Sequence, residues 1–93
     1  MLEINAVFHR TQETPWNTID NEAVVLNLDN GHYYVLNETG RRVWELLDGE
    51  RTIGQIAALI CEEYEAQEQQ AQTDIVKLLE EMLSEGLVAS GVK

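Results

Sequence analysis

The spacing of apolar residues changes period partway along this 93-residue chain. From Pro15 to Leu36 short apolar runs of strand length are separated by turn residues, the pattern of β-strands and hairpins. The pattern predicts strands over Pro15–Ile19, Ala23–Leu28 and His32–Leu36. Asp20-Asn21 turns the first into the second. Asn30-Gly31 supplies the two left-handed positions of a type I′ hairpin turn. A two-residue turn there pairs Leu28 with Tyr33, Leu26 with Val35 and Val25 with Leu36. One sheet face then carries Val24, Leu26, Leu28, Tyr33 and Val35, and the other Val25, Asn27, Tyr34 and Leu36. The first set is the more continuously apolar and is predicted to face the core.

After Asn37 the period becomes helical. A first helix is predicted over Glu38–Leu47, with Asn37 as N-cap and Gly49 as its stop. Its apolar face is Val43, Trp44, Leu46 and Leu47, with Trp44 as core anchor. A second helix over Ile53–Tyr64 opens with a capping box, Thr52 and Gln55. It places Ile53, Ile56, Ala57 and Ile60 on one face. Glu65–Gln72 is polar and Gln-rich, a loop or a frayed helical extension. A third helix is predicted over Asp74–Glu85, N-capped by Thr73. Its apolar residues Ile75, Val76, Leu78, Leu79, Met82 and Leu83 span roughly 160° of the wheel, wider than the stripe of about 100° that one-sided packing needs. In residues 1–13, Ala6-Val7-Phe8 reads as a short extended piece, or the segment is mobile. The class is α+β: a winged-helix-like, three-stranded antiparallel sheet followed by a three-helix bundle, in one domain over residues 1–93.

Charge narrows the function. Six Lys and Arg stand against seventeen Asp and Glu, a formal net charge of −11. A winged-helix layout would otherwise suggest DNA, but nucleic-acid binding rests on cations that neutralise phosphates. The third helix carries Asp74, Glu80, Glu81 and Glu85 against Lys77 alone, so nucleic acid is disfavoured. No apolar run approaches the roughly 20 residues that cross a membrane. Met1–Asn5 lacks the basic and apolar regions of a secretory signal, and a cytoplasmic location is expected. Cys61 is the single cysteine, so no intrachain disulfide forms. His9 and His32 share no metal-ligand spacing, and no nucleophile–base set or phosphate loop is legible. The sequence predicts no cofactor, no metal and no catalytic activity.

Several motifs occur in a fixed order: Tyr34-x-Leu36-Asn37-x-x-Gly40, Val43-Trp44-Glu45-Leu46-Leu47-Asp48-Gly49, Thr52-x-x-Gln55-Ile56, Asp74-Ile75 and Glu85-Gly86-Leu87-Val88. Together, over roughly residues 14 to 90, they resemble the PqqD-like family. Its members, coenzyme PQQ synthesis protein D among them, recognise precursor peptides of ribosomally made natural products. The resemblance implies a leader peptide added beside the third strand and lying against the third helix. It also implies a separate maturation enzyme, a radical S-adenosylmethionine protein or the peptidase and cyclase of lasso-peptide pathways. Carried over by position, the peptide site comprises His32, Tyr33, Tyr34, Val35 and Leu36 with Val76, Lys77, Leu79, Glu80 and Leu83. Strand backbone would give register and affinity, and helix side chains specificity. The other helix margin, Ile75, Leu78 and Met82, is the alternative, and Glu81 is placed on the far side. The protein is expected as a monomer or weak homodimer. The second functional class is a small interaction or scaffold domain without a peptide substrate.

Overall fold

The computed structural model describes residues 3–11 and 14–91. The elements in chain order are β1 (Val7–Arg10), β2 (Trp16–Ile19), β3 (Glu22–Leu26), β4 (Tyr33–Leu36), α1 (Glu38–Leu46), β5 (Asp48–Thr52), α2 (Ile53–Tyr64), α3 (Glu68–Ser84) and β6 (Val88–Ser90). The winged-helix-like α+β class holds: β2, β3 and β4 form an antiparallel sheet in that order, and three helices follow.

A second antiparallel sheet, ordered β5-β1-β6, was not predicted. Its central strand β1 comes from the segment read as extended or mobile; residues 1, 2, 12 and 13 of that segment lie outside the described residues. Phe8 anchors β1 in the core at 3% exposure. The carbonyls of Ile4 and Ala6 accept the free N–H groups of Gly54 and Ile53 at 2.7 and 3.0 Å, satisfying the start of α2. β5 has no hydrophobic signature because it is set up by a side chain. Asp48 Oδ1 accepts the backbone N–H of Glu50 and Arg51 at 2.9 and 3.1 Å, and Asp48 also pairs with the Arg51 guanidinium.

The hairpin between β3 and β4 is longer than predicted. Leu26 pairs with Tyr33, Val25 with Tyr34 and Ala23 with Leu36. Asn27 donates its N–H to the His32 carbonyl and accepts that of Gly31, so four residues bridge the strands. Of Asn30 and Gly31, only Gly31 has positive φ (73°), which rules out type I′. The slip is two residues, so each residue keeps its face.

The buried face, however, is the opposite of the one predicted. Ala23, Val25, Asn27 and Leu36 are buried, whereas Leu28, Tyr33 and Val35 are 61–68% exposed. Asn27 can face inward because its amide is satisfied: Nδ2 donates to the Glu85 carbonyl at 2.9 Å and Oδ1 accepts from Asp29 N–H. Trp16, paired with Val25, adds bulk on this side and stands edge-on to Trp44 with ring centroids 6.2 Å apart. Trp44 itself is fully buried at the centre of the core.

α1 is capped as predicted, Asn37 Oδ1 accepting Gly40 N–H at 2.8 Å. The helix ends at Leu46, and Gly49 takes its positive φ (81°) inside β5 instead of acting as the stop. The Thr52–Gln55 capping box on α2 is formed. α3 begins at Glu68, with Thr73 inside it and Gln67 as N-cap. Buried Ala71 gives the Gln-rich turn a packing reason, and Gln70–Asp74 and Gln72–Glu68 hydrogen bonds line its surface. Arg42 ties α1 to α2 by a two-pronged bond to Glu63 at 2.7 and 2.9 Å.

Candidate functional site

Among the described residues β4 is an outer strand with β3 as its only neighbour. Antiparallel ladders alternate between residues that bond their neighbour and residues that point away. Asn27 N–H donates to the His32 carbonyl, so His32, Tyr34 and Leu36 turn their backbone toward β3. Tyr33 and Val35 therefore present N–H and C=O groups at the open edge. Such an edge accepts another strand.

Two cavities lie along the seam between this edge and α3, and Leu36 and Leu78 line both. The larger, about 460 Å³, is walled by Val43, Ile60, Tyr64, Ala71 and Ile75, with Asp74 at its margin. The smaller, about 250 Å³, is walled by Val25, Tyr34, Met82 and Leu87, with Glu81 and Glu85 at its margin. Apolar side chains make up most of both walls, as peptide side-chain pockets require, and Asn37, Thr39 and Gln70 also line the larger one.

The foot of the seam is held by a polar cluster. Tyr34 Oη donates to Glu85 Oε2 at 2.5 Å, and Asn30 Nδ2 donates to the same oxygen at 3.3 Å. The bond to Glu85, reinforced by burial and the nearby negative charge, holds the Tyr34 phenol above the ordinary tyrosine range; Asn30 and Asn27 oppose the shift in part. A phenol kept protonated acts as a donor that ties β4 to α3. Among the described residues no three His, Cys, Asp or Glu side chains group as a metal site. Cys61 is half-buried. The arrangement offers a strand template and apolar pockets.

The strand residues of the predicted site are at this seam: Tyr34 and Leu36 line the cavities, Val35 lines the larger one from the open edge, Tyr33 is at the edge and His32 at its start. The helix residues are not. Val76, Lys77, Leu79, Glu80 and Leu83 line neither cavity; Leu79 is fully buried, and Val76 and Leu83 pack half-buried on the core. The alternative margin, Ile75, Leu78 and Met82, faces β4, and Glu81 is beside it, not on the far side. Asp74 and Glu85 at the margins were not anticipated as site residues. The misplaced start of α3 hid the signal. Counted from Glu68, Ala71, Ile75, Leu78 and Met82 form a continuous i, i+4, i+7, i+11 stripe.

Fold and seam together define a small winged-helix-like domain with an open strand edge beside two cavities. The model of the family described as Coenzyme PQQ synthesis protein D (PqqD) matches residues 22–88, and the chain belongs to that family. Two solved structures share the fold. TbiB1 in complex with the TbiA(beta) leader peptide is 28% identical with a TM-score of 0.76, over 86% of this chain and 93% of that one. Lasso peptide synthetase B1 complexed with the leader peptide is 24% identical with a TM-score of 0.77, over 88% and 96%. No curated protein sequence matches the chain.

Proposed function

We propose that this protein is a non-catalytic recognition domain that binds the leader of a ribosomally made precursor peptide and presents it to a separate maturation enzyme. The leader adds as a strand to β4, and side chains on one of its faces enter the two cavities. The observation that carries this reading is the coincidence of an unpaired edge at Tyr33 and Val35 with apolar cavities along the same strand. Family membership and a fold neighbour in complex with a leader peptide support it. The enzyme belongs to the radical S-adenosylmethionine or lasso-peptide type, and the domain itself needs no metal or cofactor. The peptide site comprises His32–Leu36 together with Ile75, Leu78, Met82 and Glu81. The chain acts as one domain in the cytoplasm, as a monomer or weak homodimer; no helix of the described residues is long and apolar enough to cross a membrane.

The test is titration of isotope-labelled protein with synthetic leader peptides of precursors encoded near its gene. Amide shifts are expected at Tyr33 and Val35 and along the Ile75–Glu85 face of α3. Shifts confined to α2 or to the β5-β1-β6 sheet would refute the site.

A further inference from the structure

The outer face of the β2-β3-β4 sheet carries apolar side chains that the core does not use. Tyr33 is 68% exposed and Val35 62%, although both are bulky and apolar. They are not scattered. Cross-strand pairing aligns Val24 with Val35 and Leu26 with Tyr33 in two apolar rows. Both rows end at the open edge of β4, beside the backbone groups proposed to receive the peptide. No charged side chain stands in either row.

An added strand must continue those rows. Its residues beside Tyr33 and Val35 are two apart, and the pleat sends their side chains to this outer face. The residue between them points to the cavities. We propose that the Tyr33 and Val35 side chains are specificity determinants that select apolar residues at these two outward positions of the bound peptide. This rests on the strand-addition reading above and extends it: the peptide is read on both faces, not by the groove alone. Aromatic and β-branched cross-strand pairs stabilise a sheet, whereas a charged residue there would meet no partner of opposite sign. A second copy of this chain is a poorer occupant of the same face, because each copy carries a net charge of −11.

The experiment is selection of messenger-RNA-displayed random dodecapeptides on the intact protein. Wild type, Tyr33→Lys/Val35→Lys and the groove variant Leu78→Asp are compared, with thermal melts to confirm folding. Wild type is expected to enrich peptides with Val, Ile, Phe or Tyr at two positions separated by one residue. The double lysine variant is expected to replace them with Asp or Glu and to bind the wild-type winners about tenfold more weakly. Winners that lose binding to Leu78→Asp but show no preference at the outward positions would overturn this inference alone. No enrichment on wild type would overturn both it and the strand-addition reading. A dimer abolished by the lysine substitutions, with peptide selection unchanged, would assign the face to self-association and overturn the proposal.

Discussion

Leu78→Asp is the most discriminating substitution, because Leu78 lines both cavities and the helix margin predicted from sequence excludes it. Its side chain is already half-buried in the free protein. The complex would therefore bury only the remainder, about half of the 1.5–3 kcal/mol that a fully buried leucine contributes, or roughly 1 kcal/mol. The new carboxylate adds to the loss. It sits one turn from Asp74 and Glu81 and would be covered by the peptide without a cation, a penalty of about 1–3 kcal/mol. Together the expected loss is about 2 kcal/mol or more, roughly thirtyfold or greater in Kd. Val76→Asp and Leu83→Asp are the matched controls. Both pack half-buried against the core away from the seam, so they should lower the urea midpoint and leave the affinity of the folded fraction near wild type. Leader-peptide titration by fluorescence anisotropy, alongside urea melts, separates the two effects. Wild-type affinity in Leu78→Asp, with binding lost in folded Leu83→Asp, would restore the other margin of α3 and refute the geometry argued here.

Trp44→Ala should cost about 3–5 kcal/mol, visible as a large fall in urea midpoint. Trp44→Phe should cost much less, because Trp44 Nε1 is buried with no partner among the described residues and its removal deletes that donor; equal losses in the two variants would mean that the indole N–H is bonded. Burial pushes the Asp48 carboxyl up, but the N–H bonds from Glu50 and Arg51 and the Arg51 charge outweigh it, leaving its pKa below the ordinary range. A depressed carboxyl stabilises the fold above its unfolded value, about pH 4, and loses that contribution as pH falls through the folded value. Asp48→Asn should therefore flatten the acid limb of a stability-against-pH curve, and an unchanged limb counts against the assignment. Glu85→Gln should bring the Tyr34 phenol, followed by its ring resonances, back toward the ordinary tyrosine range; no change would mean that the bond is not made in solution.

The elements that sequence located are those specified by local chemistry. Asn37 and Thr52 are caps whose side chains bond backbone three residues on, so neighbours in the chain suffice to identify them. What stayed hidden depends on distant partners. Asn27 reads as a solvent-facing residue until the carbonyl of Glu85, 58 residues away, satisfies it, and the choice of buried sheet face inverts with it. β1 is a strand because β5 and β6 flank it, and neither is recognisable by apolar alternation. Helical periodicity was clear from Ile75 onward. The polar turn before it gains its packing from Ala71 alone, and without that turn the Ala71, Ile75, Leu78 and Met82 stripe is incomplete.

The seam is organised before any peptide arrives. At one end the Asn37 cap fixes where β4 passes into α1; at the other, Tyr34 and Asn30 converge on Glu85 and pin β4 to the last turn of α3. Between these ties the edge groups of Tyr33 and Val35 are held extended by pairing with β3. On the proposed reading, a flexible leader would bear most of the ordering cost of the complex, and a preformed template would reduce the protein's share. Cutting the foot of the seam therefore has a defined consequence for binding. Tyr34→Phe removes the donor to Glu85 without removing the ring that walls the smaller cavity. Affinity should fall although no peptide contact to the hydroxyl is invoked, and hydrogen exchange along β4 should rise in the free protein. Weaker binding without faster exchange would mean that the hydroxyl contacts the peptide directly; unchanged binding would mean that the seam keeps its shape without the tie.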